Sequence, residues 1–348
     1  MNATVDTLPV AKSPAHRTHR FAVLLRREYW EHRGGFFWAP VIAAAVSLLL
    51  TAILFTIALV GMRNADSDAK FHLDDGSTMS INGLDLGVLA GQLSADDKAQ
   101  LATGIDLTML LSSAWPFIVM VFVMFFYCLG ALYDERKDRS VLFWKSLPVS
   151  DGETVLSKVV SATIAVPLLA TLVAIATMLV FLLLLSAAVM YHGGNPLELI
   201  WGPGHALTIS LSLLAAIPVY AIWALPTVGW LMLCSAWARS VPFLWAVLLP
   251  VLSGAFVSMF SVMRLFNLDA QWFWSNIVAR ILLGVVPLTP YDLSRMDGAQ
   301  IESSGIVQLI EPAAVYGNLL QPATWIGAAA GVAMLLLATR LRRWRDEG

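Results

Sequence analysis

The run V159-V-S-A-T-I-A-V-P-L-L-A-T-L-V-A-I-A-T-M-L-V-F-L-L-L-L-S-A-A-V-M190 contains no charged residue. A helix needs about 20 apolar residues to cross a bilayer, at about 1.5 Å of rise each. This run exceeds that length, so it reads as a membrane span that tilts or extends past the lipid. Five more runs share its character: Phe36–Val60, Leu107–Leu132, Ala206–Ala236, Pro242–Met263 and Thr324–Thr339. Pro167, Pro218 and Pro226 fall inside the longer runs and predict kinks there. A seventh apolar run, Trp272–Val286, is short, opens on Trp272, Phe273 and Trp274, and holds Arg280. Aromatic clusters favour the headgroup level, so this run reads as an interfacial or re-entrant segment, with a full seventh span as the alternative.

Composition agrees with the spans. The 348 residues are 58% hydrophobic and 13% charged, against about 25% charged in soluble domains. The expected fold is an all-α membrane protein of six transmembrane helices. Residues 1–35 form a tail and an amphipathic interfacial helix, 36–340 the transmembrane domain, and 341–348 a basic tail. Loop 61–106 carries eight acids against three bases and reads as an excursion with a helix around Ser94–Ala102.

Charge orients the chain. Six basic residues lie before the first span, five in loop 133–158, Arg239 in the fourth loop, and four after the last span; the opposite side has only Arg63, Lys70, Lys98, Arg264, Arg280 and Arg295. The positive-inside rule places both termini in the cytoplasm. The polar N-terminus has no apolar signal core, so the first span is expected to be retained.

Several chemistries lack their residues. There is no G-x-x-x-x-G-K-[ST] phosphate loop, no H-E-x-x-H and no G-x-S-x-G. The six histidines make no paired ligand spacing, so no metal site is expected. Cys128 and Cys234 sit in apolar runs and read as small core residues. No basic tract of nucleic-acid type is present. All charges fall outside the six spans, which removes the usual signature of an ion-coupled carrier.

Loop 133–158 is the most informative segment. Charges at Glu135, Arg136, Lys137 and Arg139 precede Ser140, Val141, Leu142, Phe143, Trp144, Lys145, Ser146, Leu147 and Pro148. This pattern predicts a short amphipathic helix stopped at Leu147-Pro148, and Ser150 with Glu153 predicts a capping box opening the next helix. The stretch before the first span interleaves Phe21, Leu24, Leu25, Tyr29 and Trp30 with Arg26, Arg27 and Glu28, which predicts a helix lying in the membrane plane. Gly34-Gly35 is expected to break that helix. Gly327 and Gly331 form a G-x-x-x-G in the last span and read as a close helix contact within the subunit.

Glu135, Arg136, Ser140, Lys145, Ser146, Leu147, Pro148, Ser150 and Lys158 together resemble the signature of ABC-2 type transporter permeases, the membrane subunits of one class of ABC exporters. The resemblance implies that the helix around Val141–Leu147 is a coupling helix. It would dock on a separate ATP-binding subunit, present in two copies, which carries the ATP and magnesium; this chain itself would hold no cofactor. It further implies a second permease copy, identical or closely paralogous, a bacterial inner-membrane location, and re-entrant helices within 264–323. Loop 61–106 is longer than in minimal members, and the fourth loop Trp237–Val241 offers little for a second coupling element. Charge-free spans point to a hydrophobic or amphipathic cargo. Two other readings stand beside this one: a membrane scaffold that docks a partner protein, and a secondary carrier.

Overall fold

A computed structural model describes residues 17–64, 70–72, 78–80, 94–138, 149–263, 269–287 and 311–344. These residues are mostly helical, with short turns between the helices and a ribbon of two antiparallel strands, β1 (Lys70–His72) and β2 (Thr78–Ser80). Six helices are long and apolar enough to cross a membrane.

The chain begins with α1 (Arg17–Arg33), passes through a π-helical turn at Gly34–Trp38, and continues as α2 (Ala39–Asn64), the first long apolar helix. The expected break at Gly34-Gly35 is therefore a wide turn within a continuing helix. The distortion falls one step earlier, at His32, whose φ of −110° and ψ of 16° leave the helical region. Glycine lowers the cost of the wide turn, and Pro40, which has no N–H to give to the preceding turn, follows it two residues on, after which helical bonding continues.

Next come α3 (Ala95–Ser112) and α4 (Ala114–Gly130). Ser94 and Asp97 form a capping box that starts α3, so the helix expected over Ser94–Ala102 runs on to meet the second span. At the step between α3 and α4 the carbonyl of Ser112 accepts a bond from Ser47 Oγ of α2 at 2.7 Å. A carbonyl freed at membrane depth needs such a partner, because lipid offers none.

A short α5 (Tyr133–Lys137) follows; residues 139–148, which include the expected coupling helix, lie outside the described residues. Helix α6 (Asp151–Val160) opens on the predicted capping box of Ser150 and Glu153. It reaches α7 (Val166–Tyr191) through a π-helical turn at Ser161–Ala165. Pro167 follows this turn at the start of α7. Proline cannot donate to the preceding turn and crowds it, and the wider turn accommodates both effects.

A π-helical turn at Leu197–Trp201 leads to α8 (Ala206–Trp237), which stays one helix through Pro218 and Pro226. Next are α9 (Pro242–Val262) and a shorter helical stretch, α10 (Ala270–Phe273), a π turn, and α11 (Ala279–Leu283). The chain ends in α12 (Pro312–Gly317) and α13 (Pro322–Trp344).

The stretch Trp272–Val286 is not among the six long helices. It packs on α9, where the Trp274 ring covers Gly254 and its indole N–H donates to Ser258 Oγ at 2.8 Å. It then runs along α8. Thr227 Oγ1 donates to the Arg280 carbonyl at 2.7 Å, and a side chain at Gly284 would strike Thr227. One step later Tyr220 Oη donates to the Val285 carbonyl at 2.6 Å. Tyr220 lies two turns back along α8 from Thr227, so the backbone turns beyond Gly284.

Helix α13 packs along α8. Space for a Cβ on Gly331 is already filled by the Leu225 and Pro226 backbone, and space for one on Gly229 by the Gly331 carbonyl. The G-x-x-x-G residue thus serves a contact inside the subunit, at the point where Pro226 has no N–H to give. Cys128 and Cys234 are free thiols buried in the main core. The outward faces of α2 and α9 keep their apolar side chains exposed, as lipid-facing helices do.

Gly331→Val is expected to push α13 off α8 and lower the detergent melting temperature by several degrees. Gly104→Ala, in the open on α3, is expected to leave it unchanged or raise it slightly. Equal melting of the two variants would contradict the contact.

Candidate functional site

One end of the bundle holds both α1 and the close of α13; it is called the terminal end here, and the opposite one the far end. Four charged side chains that the bundle buries almost completely meet at the terminal end: Glu28, Glu135, Lys158 and Arg342. Lys158 Nζ lies 3.0 Å from Glu28 Oε1 and 3.1 Å from Glu135 Oε1. Arg342 Nη1 lies 2.8 Å from Glu135 Oε2, and its Nε 3.3 Å from Asp151 Oδ1. Tyr127 Oη donates to Glu28 Oε2 at 2.9 Å. Arg27, on the rim, pairs with Glu31 at 3.1 Å and comes within 4.0 Å of Glu135.

The side chains converge because each sits at a helix boundary. Glu28 lies on α1 one turn beyond Leu24, and both are buried against the bundle. Val23 and Trp30 face outward instead. The inward face of α1 thus carries an acid beside Leu24 and Tyr29, whereas Val23 and Trp30 look away from the protein. Glu135 is on α5, just past the second span. Asp151 and Lys158 lie on α6, in the helical stretch that enters the third span. Arg342 lies in the last turn of α13, after the final apolar stretch. Each position is polar enough to end an apolar run and close enough to the core to be covered.

Burying one unpaired charge costs several kcal/mol, whereas closely paired charges are tolerated; Arg342 meets Glu135 and Asp151 by charge proximity, without an aligned hydrogen bond. Here two cations alternate with three carboxylates, and no member can leave without exposing a neighbour's charge. The arrangement therefore fixes the register of four helical elements more than it adds net stability.

A second fastening lies beside the first. Arg136 donates to the carbonyls of Ser235 at 3.1 Å and Ala236 at 2.6 Å, and also to that of Ala238. Ser235 Oγ accepts the backbone N–H groups of Leu132 at 3.0 Å and Tyr133 at 2.9 Å. A guanidinium at the C-terminus of α8 satisfies orphan carbonyls and complements the helix dipole. The chain leaving the second span is thus tied to the end of the fourth. Beside these groups opens a cleft of about 590 Å³, lined by Glu31, His32, Phe122, Asp134, Glu135 and Asp138 among others.

The sequence-derived candidates divide as follows. Glu135 and Glu28 enter the buried node, with Arg27 at its edge. Arg136 caps α8. Tyr29 packs against the core, and Arg26 and Trp30 are exposed. Gly331 touches α8, and Gly327 lies under the Arg280 guanidinium. Ser140, Val141, Leu142, Phe143, Trp144, Lys145, Ser146, Leu147 and Pro148 lie outside the described residues. Sequence reading missed Arg342, Asp151 and Tyr127 as members. Arg342 was one of four tail arginines, and only its position one turn beyond the apolar run distinguished it.

At the far end, Asp106 is buried at the start of α8. Its carboxylate accepts the His205 backbone N–H at 3.0 Å and meets His205 Nδ1 at 2.8 Å. An apolar cavity of about 310 Å³ lies beside it, between α3, α7 and α8. Among the described residues no group of three or more His, Cys, Asp or Glu side chains could hold a metal ion.

No family model, curated protein or solved structure matches this chain.

Lys158→Met leaves Glu28 and Glu135 facing each other without their cation. It is expected to destabilise the protein by about 3–5 kcal/mol, the usual cost of breaking a buried pair. Adding Glu28→Gln to Lys158→Met, which removes one of the two stranded carboxylates, is expected to recover part of that loss in detergent-unfolding titrations. A double variant no more stable than Lys158→Met would contradict the pairing.

Proposed function

We propose that this chain is the membrane permease subunit of an ATP-driven exporter of the ABC-2 type. The observation that carries the reading is the placement of the ion-pair node around residues 139–148. Glu135 lies just before that segment, and Asp151 and Lys158 lie just after it. Both flanks of the segment are anchored to each other, to α1 through Glu28, and to α13 through Arg342. A push on the segment therefore reaches the first, second, third and last spans together, and Arg136 extends the connection to the fourth.

That arrangement suits a docking element moved by a separate ATPase. In this reading the segment around Val141–Leu147 is the coupling helix, and two ATP-binding subunits dock at the terminal end, which faces the cytoplasm. ATP-driven motion shifts the spans between two states, which requires the helix to contact the ATPase differently in each. The energy source lies on the partner, because this chain has no phosphate loop. A second permease copy completes the pathway. The stretch Ala270–Leu283 is then a re-entrant element, entering from the far end and turning at Gly284. Its broken backbone is tolerable at membrane depth because Thr227 and Tyr220 satisfy the carbonyls there. Cargo is hydrophobic or amphipathic, in keeping with spans that carry no charge.

The test is co-expression with an ATP-binding subunit encoded beside it, followed by ATP hydrolysis in lipid. A stable complex is expected, with hydrolysis stimulated by this chain. Trp144→Ala is expected to leave the permease monodisperse yet cut the stimulation by about tenfold, within the usual range of coupling energies. A complex that does not form, or hydrolysis indifferent to Trp144→Ala, overturns the assignment.

A further inference from the structure

Arg280 lies apart from the terminal-end node. Its guanidinium stacks over the Trp223 ring, 4.2 Å from the centroid, and rests on Gly327, where a Cβ would come within 2.5 Å of Nη2. Its Nη2 reaches only the Thr324 carbonyl, at 3.4 Å, and its buried Nε has no hydrogen-bond partner. Among the described residues no carboxylate lies within ion-pair distance of it, in contrast to Lys158 and Arg342.

The position lies in the far part of α13 and about midway along α8. Thr324 and Gly327 are in the first two turns of α13, which starts at Pro322. Trp223 is 17 residues into α8 (Ala206–Trp237), so the guanidinium sits inside the bundle and below its far end. The exposed ring of Trp325 lies beside it on α13, and that of Trp272 lies about 12 Å back along its own helical stretch, toward the far headgroup level.

A lone cation in this setting is costly, most at the bilayer centre and less toward the interface. The tryptophan face offsets part of that and fixes the plane of the guanidinium, but it carries no net charge. The Nε is covered, but the side chain as a whole is only partly buried, and a guanidinium with no paired carboxylate favours a phosphate or carboxylate at its accessible N–H groups. On the same helices Leu283 and Ile326 are exposed and offer apolar surface beside the charge.

We infer that Arg280 is a binding site for the anionic head of an amphiphile, a phosphate or carboxylate that reaches in from the far membrane face, with the apolar chain lying along the Leu283 and Ile326 side. Trp223 and Gly327 are the positioning residues. Trp223 holds the guanidinium flat, and Gly327 leaves room for it. The inference stands apart from the transport reading. Lost ATPase stimulation leaves it intact, and lost lipid preference leaves the coupling test intact.

Native mass spectrometry of the full chain in detergent tests it, with phosphatidylglycerol and phosphatidylcholine added separately. The wild type is expected to retain phosphatidylglycerol about tenfold more strongly. Arg280→Gln is expected to remove most of that preference, and Arg280→Lys to keep part of it. Gly327→Ala, which displaces the guanidinium without changing charge, is expected to weaken it as well and serves if Arg280→Gln fails to fold. Neutralising Arg340 and Arg343 at the terminal end is expected to leave the preference in place. Three outcomes overturn the inference: no preference in the wild type, a preference that Arg280→Gln and Gly327→Ala both retain, or displacement of the lipid by inorganic phosphate alone. The last would mark a small-anion site.

Discussion

Lys158 between Glu28 and Glu135 is the contact on which the bundle's arrangement depends. Helices in lipid gain little from burying apolar surface against one another, since lipid tails are as apolar as leucine. Position must come from close packing of small residues and from polar contacts that admit one geometry. This chain uses both. Gly331 and Gly229 bring α13 against α8. The node then brings α1, α5, α6 and the end of α13 to a single point. A buried lysine with two carboxylates cannot slide by one helical residue without stranding a charge, so the node acts as a register pin.

The two ends of the molecule are built differently. The terminal end is ionic, with alternating charges that are mutually compensated and linked to the α8 C-terminus by Arg136. The far end has a mostly apolar cavity beside the Asp106–His205 contact, and among the described residues the Arg280 guanidinium on a tryptophan face lies between it and the terminal end. Between them the long helices carry hydroxyls that bond to backbone, such as Ser47 to Ser112 and Thr227 to Arg280. These satisfy the carbonyls that steps and turns release. A displacement at the terminal end would therefore travel through stiff helices toward a softer far end.

Much of this was legible in the sequence. Each of the six apolar runs falls on one of the six long helices, because length and absence of charge suffice at membrane depth, but the first three helices begin 8 to 16 residues before their apolar runs. The capping boxes at Ser94 and Ser150 were legible for Ser150 and half-legible for Ser94, since a cap announces where a helix starts but not how far it runs. The node was not legible. Glu28, Glu135, Lys158 and Arg342 are far apart in sequence, and pairing among them is a tertiary fact. Which face of α1 turns inward was not legible either: an amphipathic pattern beside lipid does not say which side meets the protein, and here Leu24 and Glu28 face in and Val23 and Trp30 out. Gly34-Gly35 misled, because two glycines permit a break but do not compel one. Arg280 stood out as the one charge inside a short apolar run, but its tryptophan and glycine bed came from other helices.

The central claim is that the buried charges act as one unit, so residues that never touch should be energetically coupled through it. The most direct measurement is a double-mutant cycle on Glu28→Gln and Arg342→Met, read by reversible unfolding in mixed detergent micelles. These two side chains meet only through Lys158 and Glu135. Independent sites add within about 0.3–0.5 kcal/mol. The node predicts a coupling energy of about 1 kcal/mol or more between the two substitutions; strict additivity would show that the charges are separate local pairs and contradict the account.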